Sequence, residues 1–312
     1  MGKIGRLVHS GLGRGIAFAM ISIVVPVRQA ELTIADTLKS LMAQCKGQSV
    51  EIILAICEGD RCLTGVIVEE PARAIVIKAP AGIPQLRREA SHMARGEYLV
   101  ITEDHCLFPA GWVQNLVAAT ASRPGSVCGG PVANGRLTIV GWAQYFTRYA
   151  AFLPVGLDRT STNLPGNNAC YPRRFLEEHS RLLQAGFWEA EFNQELARSG
   201  IPFVLMQSLC VLQNQQRRMG EYVSLRFRHG RCYGARRFHK SLPLQKMKVL
   251  LGTPMLPALL YIRMLRSVLR AKWNTAKFFA SSPLILVYVC AWSLGEITGY
   301  LTGAGTSCTE TD

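Results

Sequence analysis

Charge is scarce in this 312-residue sequence, in which 18% of residues are charged and 49% are hydrophobic. This balance excludes an intrinsically disordered chain and favours a folded protein that touches a membrane. Acidic residues are scarcer still, 21 against 35 basic ones, so the net charge is +14. The excess predicts anionic partners such as nucleotide phosphates or lipid headgroups. Because the basic residues follow no known nucleic-acid-binding motif, we expect no nucleic acid partner.

The sequence also lacks closely spaced cysteine pairs. Its ten cysteines are scattered, with no C-x-x-C pair and no secretory signal before them. Such cysteines are typical of apolar core residues in a reducing compartment. We therefore expect neither a disulfide framework nor a zinc site.

We expect neither a cleavable signal nor a membrane-spanning segment at the N-terminus. The apolar stretch Ile16–Val27 is too short to cross a bilayer and contains Pro26. The glycine run Gly11–Gly15 precedes the first predicted strand, whereas a dinucleotide-binding glycine loop follows a strand. We predict a flexible basic leader over residues 1–20.

Short apolar runs alternate with helical segments from Ile21 to about Gly130. This alternation predicts an α/β fold, with a mostly parallel sheet flanked by helices. Ligands of such sheets bind at the carboxyl ends of the strands, here Pro26–Gln29, Cys57–Asp60 and Glu103–Cys106. The predicted elements, in order, are strand Ile21–Val25 ended by Pro26, helix Leu32–Cys45, strands Val50–Cys57 and Ala74–Lys78, helix Gln85–Ala94 and strand Tyr98–Thr102.

Residues 241–312 form a predicted membrane-associating helical tail. Pro283–Gly303 is long enough to span a bilayer and carries one charge, Glu296, which we expect to face protein or a lipid substrate. Before it, Arg263, Arg266 and Arg270 share one helix face, as in an interfacial helix on anionic headgroups. A soluble basic helix packed on the domain is the alternative.

A polar triplet follows the apolar strand Tyr98–Thr102. Strand alternation would place Glu103 and His105 on one face and Asp104 on the other. A carboxylate and an imidazole suit Mn²⁺, with Mg²⁺ as the alternative, and such an ion could stabilise a leaving diphosphate. An ordinary solvated strand end is the competing interpretation.

This triplet and five other segments resemble the family 2 glycosyltransferases of GT-A fold. The triplet resembles the Asp-x-Asp site of the family, with Trp112 a few residues later. The other segments stand in the family's order: Ser22–Pro26 resembles the opening strand, Arg87–Tyr98 the helix before the metal strand, Leu164–Asn168 the acceptor-side loop, Trp188–Glu191 the Glu-Asp motif and Gln215–Met219 a partial Q-x-x-R-W motif. The resemblance predicts a GT-A domain over residues 21–240.

The resemblance also implies the roles of individual residues. Glu189 would be the catalytic base, and Glu103 and His105 would bind Mn²⁺ or Mg²⁺. The predicted acceptor contacts are Asn167, Asn168 and Trp188. The predicted contacts to the nucleotide-sugar donor are Pro26, Glu58, Asp60, Arg87, Arg88, Asp104, Arg217 and Arg218.

Together these features predict a membrane-associated inverting glycosyltransferase. It would move a sugar from a nucleoside-diphosphate-sugar to an acceptor hydroxyl of a glycan or a lipid-linked acceptor, in polysaccharide or glycolipid synthesis. Its catalytic domain would lie on the cytoplasmic side of a bacterial inner membrane. The alternatives are a polyprenyl-phosphate glycosyltransferase and a catalytically degenerate domain that binds a nucleotide sugar or a partner enzyme at the membrane.

Overall fold

A computed structural model describes residues 19–28, 33–61, 63, 65–79, 81–239 and 252–309. Most of the predicted leader and residues 240–251 therefore lie outside the described residues. An eight-stranded sheet has the order β3-β2-β1-β4-β9-β6-β10-β8, and a small sheet has the order β5-β11-β7. The strands are β1 Ile21–Val27, β2 Val50–Cys57, β3 Ala72–Ile77, β4 Tyr98–Thr102, β5 Cys106–Leu107, β6 Val127–Gly129, β7 Val132–Asn134, β8 Arg159–Ser161, β9 Asn168–Pro172, β10 Phe203–Leu205 and β11 Val211–Gln213.

Helices cover both faces of the large sheet. The α-helices are α1 Ile34–Cys45, α2 Ile83–Met93, α3 Trp112–Ser122, α4 Ile139–Tyr149, α5 Arg173–Glu178, α6 Ser180–Leu183, α7 Glu189–Arg198, α8 Met219–His239, α9 Leu256–Ala271 and α10 Thr275–Thr302. Short 3₁₀ turns occupy Gln207–Leu209 and Thr253–Met255.

The predicted α/β architecture is confirmed, with a parallel half and a mixed half. Strands β1, β2, β3 and β4 pair in parallel, so their carboxyl ends meet at one edge. Strand β9 lies antiparallel between β4 and β6. Pro26 does not end β1, because the strand continues to Val27 and Pro26 is in register with Ala55 of β2.

Alternating apolar residues along the buried strands build one core on each face of the sheet. Ile23 and Val25 of β1 belong to the core that contains α1, α3 and α4, while Val24 belongs to the core that contains α2 and α7. Because helices cover both faces of the sheet, these strands are apolar throughout and do not alternate between apolar and polar residues.

Helices α8 and α10 approach each other through pairs of glycines four residues apart on each helix. A Cβ added at Gly230 or Gly234 would lie 2.1 Å or 2.4 Å from a carbonyl oxygen of α10. A Cβ added at Gly295 or Gly299 would lie 2.0 Å or 2.2 Å from a carbonyl oxygen of α8. The two backbones therefore pack directly on each other, which only residues without a side chain allow.

Glu296 of α10 faces protein. Its side chain is 2% exposed, accepts hydrogen bonds from Trp292 and Tyr300, and lies 3.6 Å from Nη1 of Arg237 on α8. A buried carboxylate of this kind needs such partners, because an unpaired charge would be costly.

The prediction that no cysteine forms a disulfide is wrong for one pair. Cys232 of α8 is bonded to Cys308, which follows α10. The α8–α10 packing brings together two cysteines 76 residues apart, a proximity that sequence spacing does not show. Among the described residues, seven other cysteines are free, and five of these are buried.

Within the described residues, α10 alone is long and apolar enough to cross a membrane. It also packs on α4, where Phe146 meets Phe278 at 5.1 Å between ring centroids, and on α8, where Tyr222 meets Tyr288 at 4.7 Å. One face of this helix is therefore part of the domain core.

We expect Gly234→Ala to destabilise the protein by about 1–3 kcal/mol, because the new methyl group would push α8 away from α10. Gly220→Ala is the matched control, since Gly220 lies in the same helix with open space around it. Urea unfolding of both variants measures the difference. Equal free energies of unfolding would show that the close contact is unimportant.

Candidate active site

The polar triplet lies where β4 ends, at the edge formed by the parallel strands. Because β4 stops at Thr102, strand alternation does not continue through the triplet. Nε2 of His105 lies 3.1 Å from Oε2 of Glu103, and its Nδ1 lies 3.1 Å from Oδ1 of Asp104. The three side chains thus meet, and the prediction that Asp104 points away from the other two is wrong.

Arg87 of α2 joins this strand end to the start of α7. Its Nη1 lies 2.6 Å from Oε2 of Glu189, and its Nη2 lies 3.1 Å from Oε1 of Glu103. Nη2 also donates to the carbonyl of Gly166, at 3.2 Å. The guanidinium side chain is only 3% exposed, so one buried cation holds both carboxylates.

Gly166 makes room for the Glu189 carboxylate. A Cβ at Gly166 would lie 2.6 Å from Oε1 of Glu189. Glu189 is the first residue of α7, where the helix dipole favours a negative charge. Its side chain is 32% exposed, so a molecule in solvent can reach it.

Arg148, near the end of α4, provides a second cation. Its Nη2 lies 2.9 Å from Oε2 of Glu103. Burial raises the pKa of Glu103, but Arg148, His105 and Arg87 outweigh it and hold that pKa well below its usual range. Burial lowers the pKa of His105, but hydrogen bonds to Asp104 and Glu103 outweigh it, so the net pKa is raised. The cluster is a charge-balanced network in which Glu103 is ionised.

The predicted metal ligands do not fit a divalent ion as they are arranged. Glu103 already contacts two guanidinium groups and an imidazole, and Asp104 accepts from the backbone N–H of Arg28 at 3.0 Å. Both ring nitrogens of His105 face carboxylates. Among the residues that the structure describes, no three His, Cys, Asp or Glu side chains are placed to hold a metal.

The other predicted donor contacts lie at the same edge or close to it. Pro26 is the next-to-last residue of β1 and is still paired with β2. Glu58 and Asp60 follow the end of β2, and Glu58 is exposed while Asp60 is half-buried. The backbone of Arg217 exchanges two hydrogen bonds with Gln144 of α4, one helical turn before Arg148.

Two predicted phosphate contacts lie apart from the cluster. Arg88 bonds to Glu89 and to the carbonyl of Gln184. Arg218 is exposed, and its backbone N–H donates to Glu221. Their donor roles stay predictions.

The predicted acceptor residues are differently engaged. Asn167 and Asn168 are buried, and their amides donate to Tyr149 and to the carbonyl of Leu209. These contacts fix the loop before β9, while the side-chain oxygen of Asn167 is buried with no hydrogen-bond partner among the described residues. Trp188 is half-buried, and the guanidinium carbon of Arg236 lies 4.0 Å from its ring centroid. The acceptor roles of all three stay predictions.

Comparison with known proteins identifies the family. The sequence model described as "Glycosyl transferase family 2" matches residues 22–179, slightly more than half of the chain. The chain belongs to glycosyltransferase family 2. No curated protein sequence is significantly similar to it.

Two solved glycosyltransferase structures are similar to this one in fold. A mannosyltransferase from Pyrobaculum calidifontis, in complex with GDP-Man and Mn²⁺, is 16% identical with a TM-score of 0.50, covering 92% of this chain and 86% of the mannosyltransferase. GalNAc-T7 with UDP, GalNAc and Mn²⁺ is 14% identical with a TM-score of 0.52, covering 73% of this chain and 52% of GalNAc-T7. Both similarities confirm the GT-A fold.

Sequence analysis missed Arg148 and Arg28 in this family 2 domain. Arg148 is the only charged residue in α4, among aromatic side chains, and that isolation was an available signal. Arg28 contributes a backbone N–H, which no residue pattern reveals.

Burial raises the pKa of Cys106, directly after the triplet, to about 12, which disfavours the thiolate form that a nucleophile needs.

We expect Arg87→Met to destabilise this glycosyltransferase by about 3 kcal/mol, because it leaves two carboxylates without their shared cation. Arg88→Met is the matched control on the same helix, with an expected change within about 0.5 kcal/mol. Denaturant unfolding gives both values. Similar losses in the two variants would mean that the bridge contributes no stability of its own.

Proposed function

We propose that this glycosyltransferase moves a sugar, with inversion, from a nucleoside-diphosphate-sugar to an acceptor hydroxyl in glycan or glycolipid synthesis. The observation that carries the proposal is the Arg87 bridge. One buried guanidinium contacts both the carboxylate at the end of β4 and the half-exposed carboxylate of Glu189. The side chain of Arg87 thereby links the sheet edge, where the donor is proposed to bind, to Glu189, the proposed base that solvent can reach.

In the proposed reaction, Glu189 accepts the proton of the acceptor hydroxyl while that oxygen attacks the anomeric carbon. The new carbon–oxygen bond forms as the bond to the diphosphate breaks, and the nucleoside diphosphate leaves with the electron pair. Guanidinium groups match phosphate oxygens, so Arg148 and Arg217, which are less buried than Arg87, are the cations proposed to contact the leaving group. The GDP-Man and UDP complexes of the two similar structures support a nucleotide-sugar donor.

Divalent-metal use stays a prediction that rests on the family and on the Mn²⁺ in both similar structures. Glu103 and His105 have suitable donor atoms, but the arginine contacts of Glu103 compete with an ion. We therefore assign no step to a metal.

We expect Glu189→Gln to lower kcat/KM by about 100- to 10,000-fold, because an amide cannot take the proton. Glu195→Gln is the matched control on α7, where Glu195 pairs with Arg198 at the surface. Glu195→Gln should stay within about twofold of the unmodified enzyme. Full turnover by Glu189→Gln, with native thermal stability, would show that Glu189 is not the catalytic base.

Nucleotide release by the purified protein, measured across UDP-, GDP- and dTDP-sugars, should identify one donor. Release that stops with chelator and with His105→Ala would support the metal prediction. Release that persists in chelator and falls with Arg148→Gln would assign charge neutralisation to the arginines. No release and no thermal shift with any nucleotide would contradict the transferase proposal and favour a catalytically degenerate domain that binds a partner enzyme.

A further inference from the structure

The face of α10 that points away from the domain is apolar along its whole length. We call its exposed residues the apolar stripe; they are Phe279, Leu286, Val287, Cys290, Leu294 and Leu301. Leu294 and Leu301 are 60% and 68% exposed. The stripe runs from Phe279 to Leu301, 22 steps along the helix or about 33 Å at 1.5 Å per residue. A soluble surface rarely exposes so continuous an apolar patch unless something covers it.

The opposite face of α10 is fixed to the domain. Aromatic contacts hold its first half to α4, the glycine contacts hold its second half to α8, and the Cys232–Cys308 bond follows its end. Helix α8 carries five arginines within the described side chains: Arg226, Arg228, Arg231, Arg236 and Arg237. If α10 crossed a bilayer in this packing, it would carry those arginines into the hydrocarbon, which is strongly unfavourable.

Basic residues lie along the chain just before the stripe. Between Gly252 and Gly295 the sequence has five basic residues and no acidic one. Arg263, Arg266 and Arg270 are exposed on α9, beside the exposed apolar residues Leu259, Ile262 and Leu269. Helix α9 is joined to α10 by a hydrogen bond between the hydroxyl oxygens of Tyr261 and Ser282, which lie 2.7 Å apart. Positive charge next to an apolar face is complementary to a surface that is anionic outside and apolar beneath.

We propose that α9 and α10 form an in-plane docking surface for an anionic lipid bilayer, with α10 lying in the headgroup region and not crossing the membrane. The apolar stripe enters the acyl boundary, and the α9 arginines contact lipid phosphates. This inference specifies the membrane partner and how it is bound, and it does not depend on the proposed transfer reaction.

The docking surface is also close to the candidate active site through one helix. On α4, Phe146 packs on Phe278 of α10, and Arg148 two residues later contacts Glu103. An acceptor that is itself anchored in the bilayer would therefore meet the site from the side of α4. Docking would place the enzyme where such an acceptor is concentrated.

The first test is binding of the full chain to vesicles, measured by co-sedimentation. We expect binding to phosphatidylcholine vesicles that contain phosphatidylglycerol, and weakening as salt is raised. Leu286→Ser with Leu294→Ser should weaken binding at least about tenfold, because two apolar side chains lose their lipid contact. Ile67→Ser with Leu157→Ser is the matched control, since these residues are exposed elsewhere and should leave binding unchanged.

A second measurement separates lying in the surface from crossing. Cys290 is exposed in the middle of the stripe and accepts a fluorophore, with Cys290→Ser to subtract labelling at other cysteines. Phe279→Cys and Leu301→Cys in the Cys290→Ser background give probes near its ends. Lipid-borne quenchers at known depths should find all three probes equally shallow. A deep probe at 290 between shallow ends would show crossing and overturn the proposal.

The remaining outcomes also decide the matter. No binding to anionic vesicles, together with dimers in light scattering that the Leu286→Ser, Leu294→Ser variant abolishes, would show that a second copy of the chain covers the stripe. Equal binding to neutral and anionic vesicles would show that the α9 arginines do not contribute to membrane binding. Donor release in the absence of vesicles is measured on the same variants. Loss of vesicle binding with normal donor release would separate failure of docking from failure of the transferase proposal.

Discussion

The ion pairs of Arg87 are the interaction on which the candidate site depends. A buried guanidinium is costly unless it is paired, and here each of its terminal nitrogens meets a carboxylate from a different part of the chain. Glu103 comes from the sheet edge and Glu189 from a helix 86 residues later. Holding both on one cation fixes the sheet edge and α7 relative to each other. The geometry of the site is therefore built into the packing of α2.

The C-terminal helix α10 is likewise fixed to the rest of the domain by specific contacts. Backbone contacts through glycines, a disulfide and aromatic packing attach α10 to the glycosyltransferase domain. An apolar helix that is attached along one face has only its other face to offer to a membrane. This constraint distinguishes α10 from a free membrane span of the same composition.

The sequence predicted the fold well because buried parallel strands and amphipathic helices leave strong periodic signals. It also predicted that Glu103, His105 and Glu189 belong near one site, because the order of the family motifs is preserved. It did not predict that Arg87 and Arg148 would neutralise Glu103, since ion pairs between distant elements depend on register and helix rotation. Likewise, the glycines of α8 and α10 are informative only as facing pairs, and the cysteine pair depends on that packing.

The bond between Cys232 and Cys308 has a mechanical consequence. It closes a covalent ring of chain that contains all of α9 and α10 and returns to α8 of the catalytic domain. The bond ties the residues that follow α10 to α8, so this end of α10 cannot move far from α8. In the proposed docking, the packing of α10 on the domain sets the height of Glu189 above the lipid surface, and the proposed acceptor would need the reach to match it.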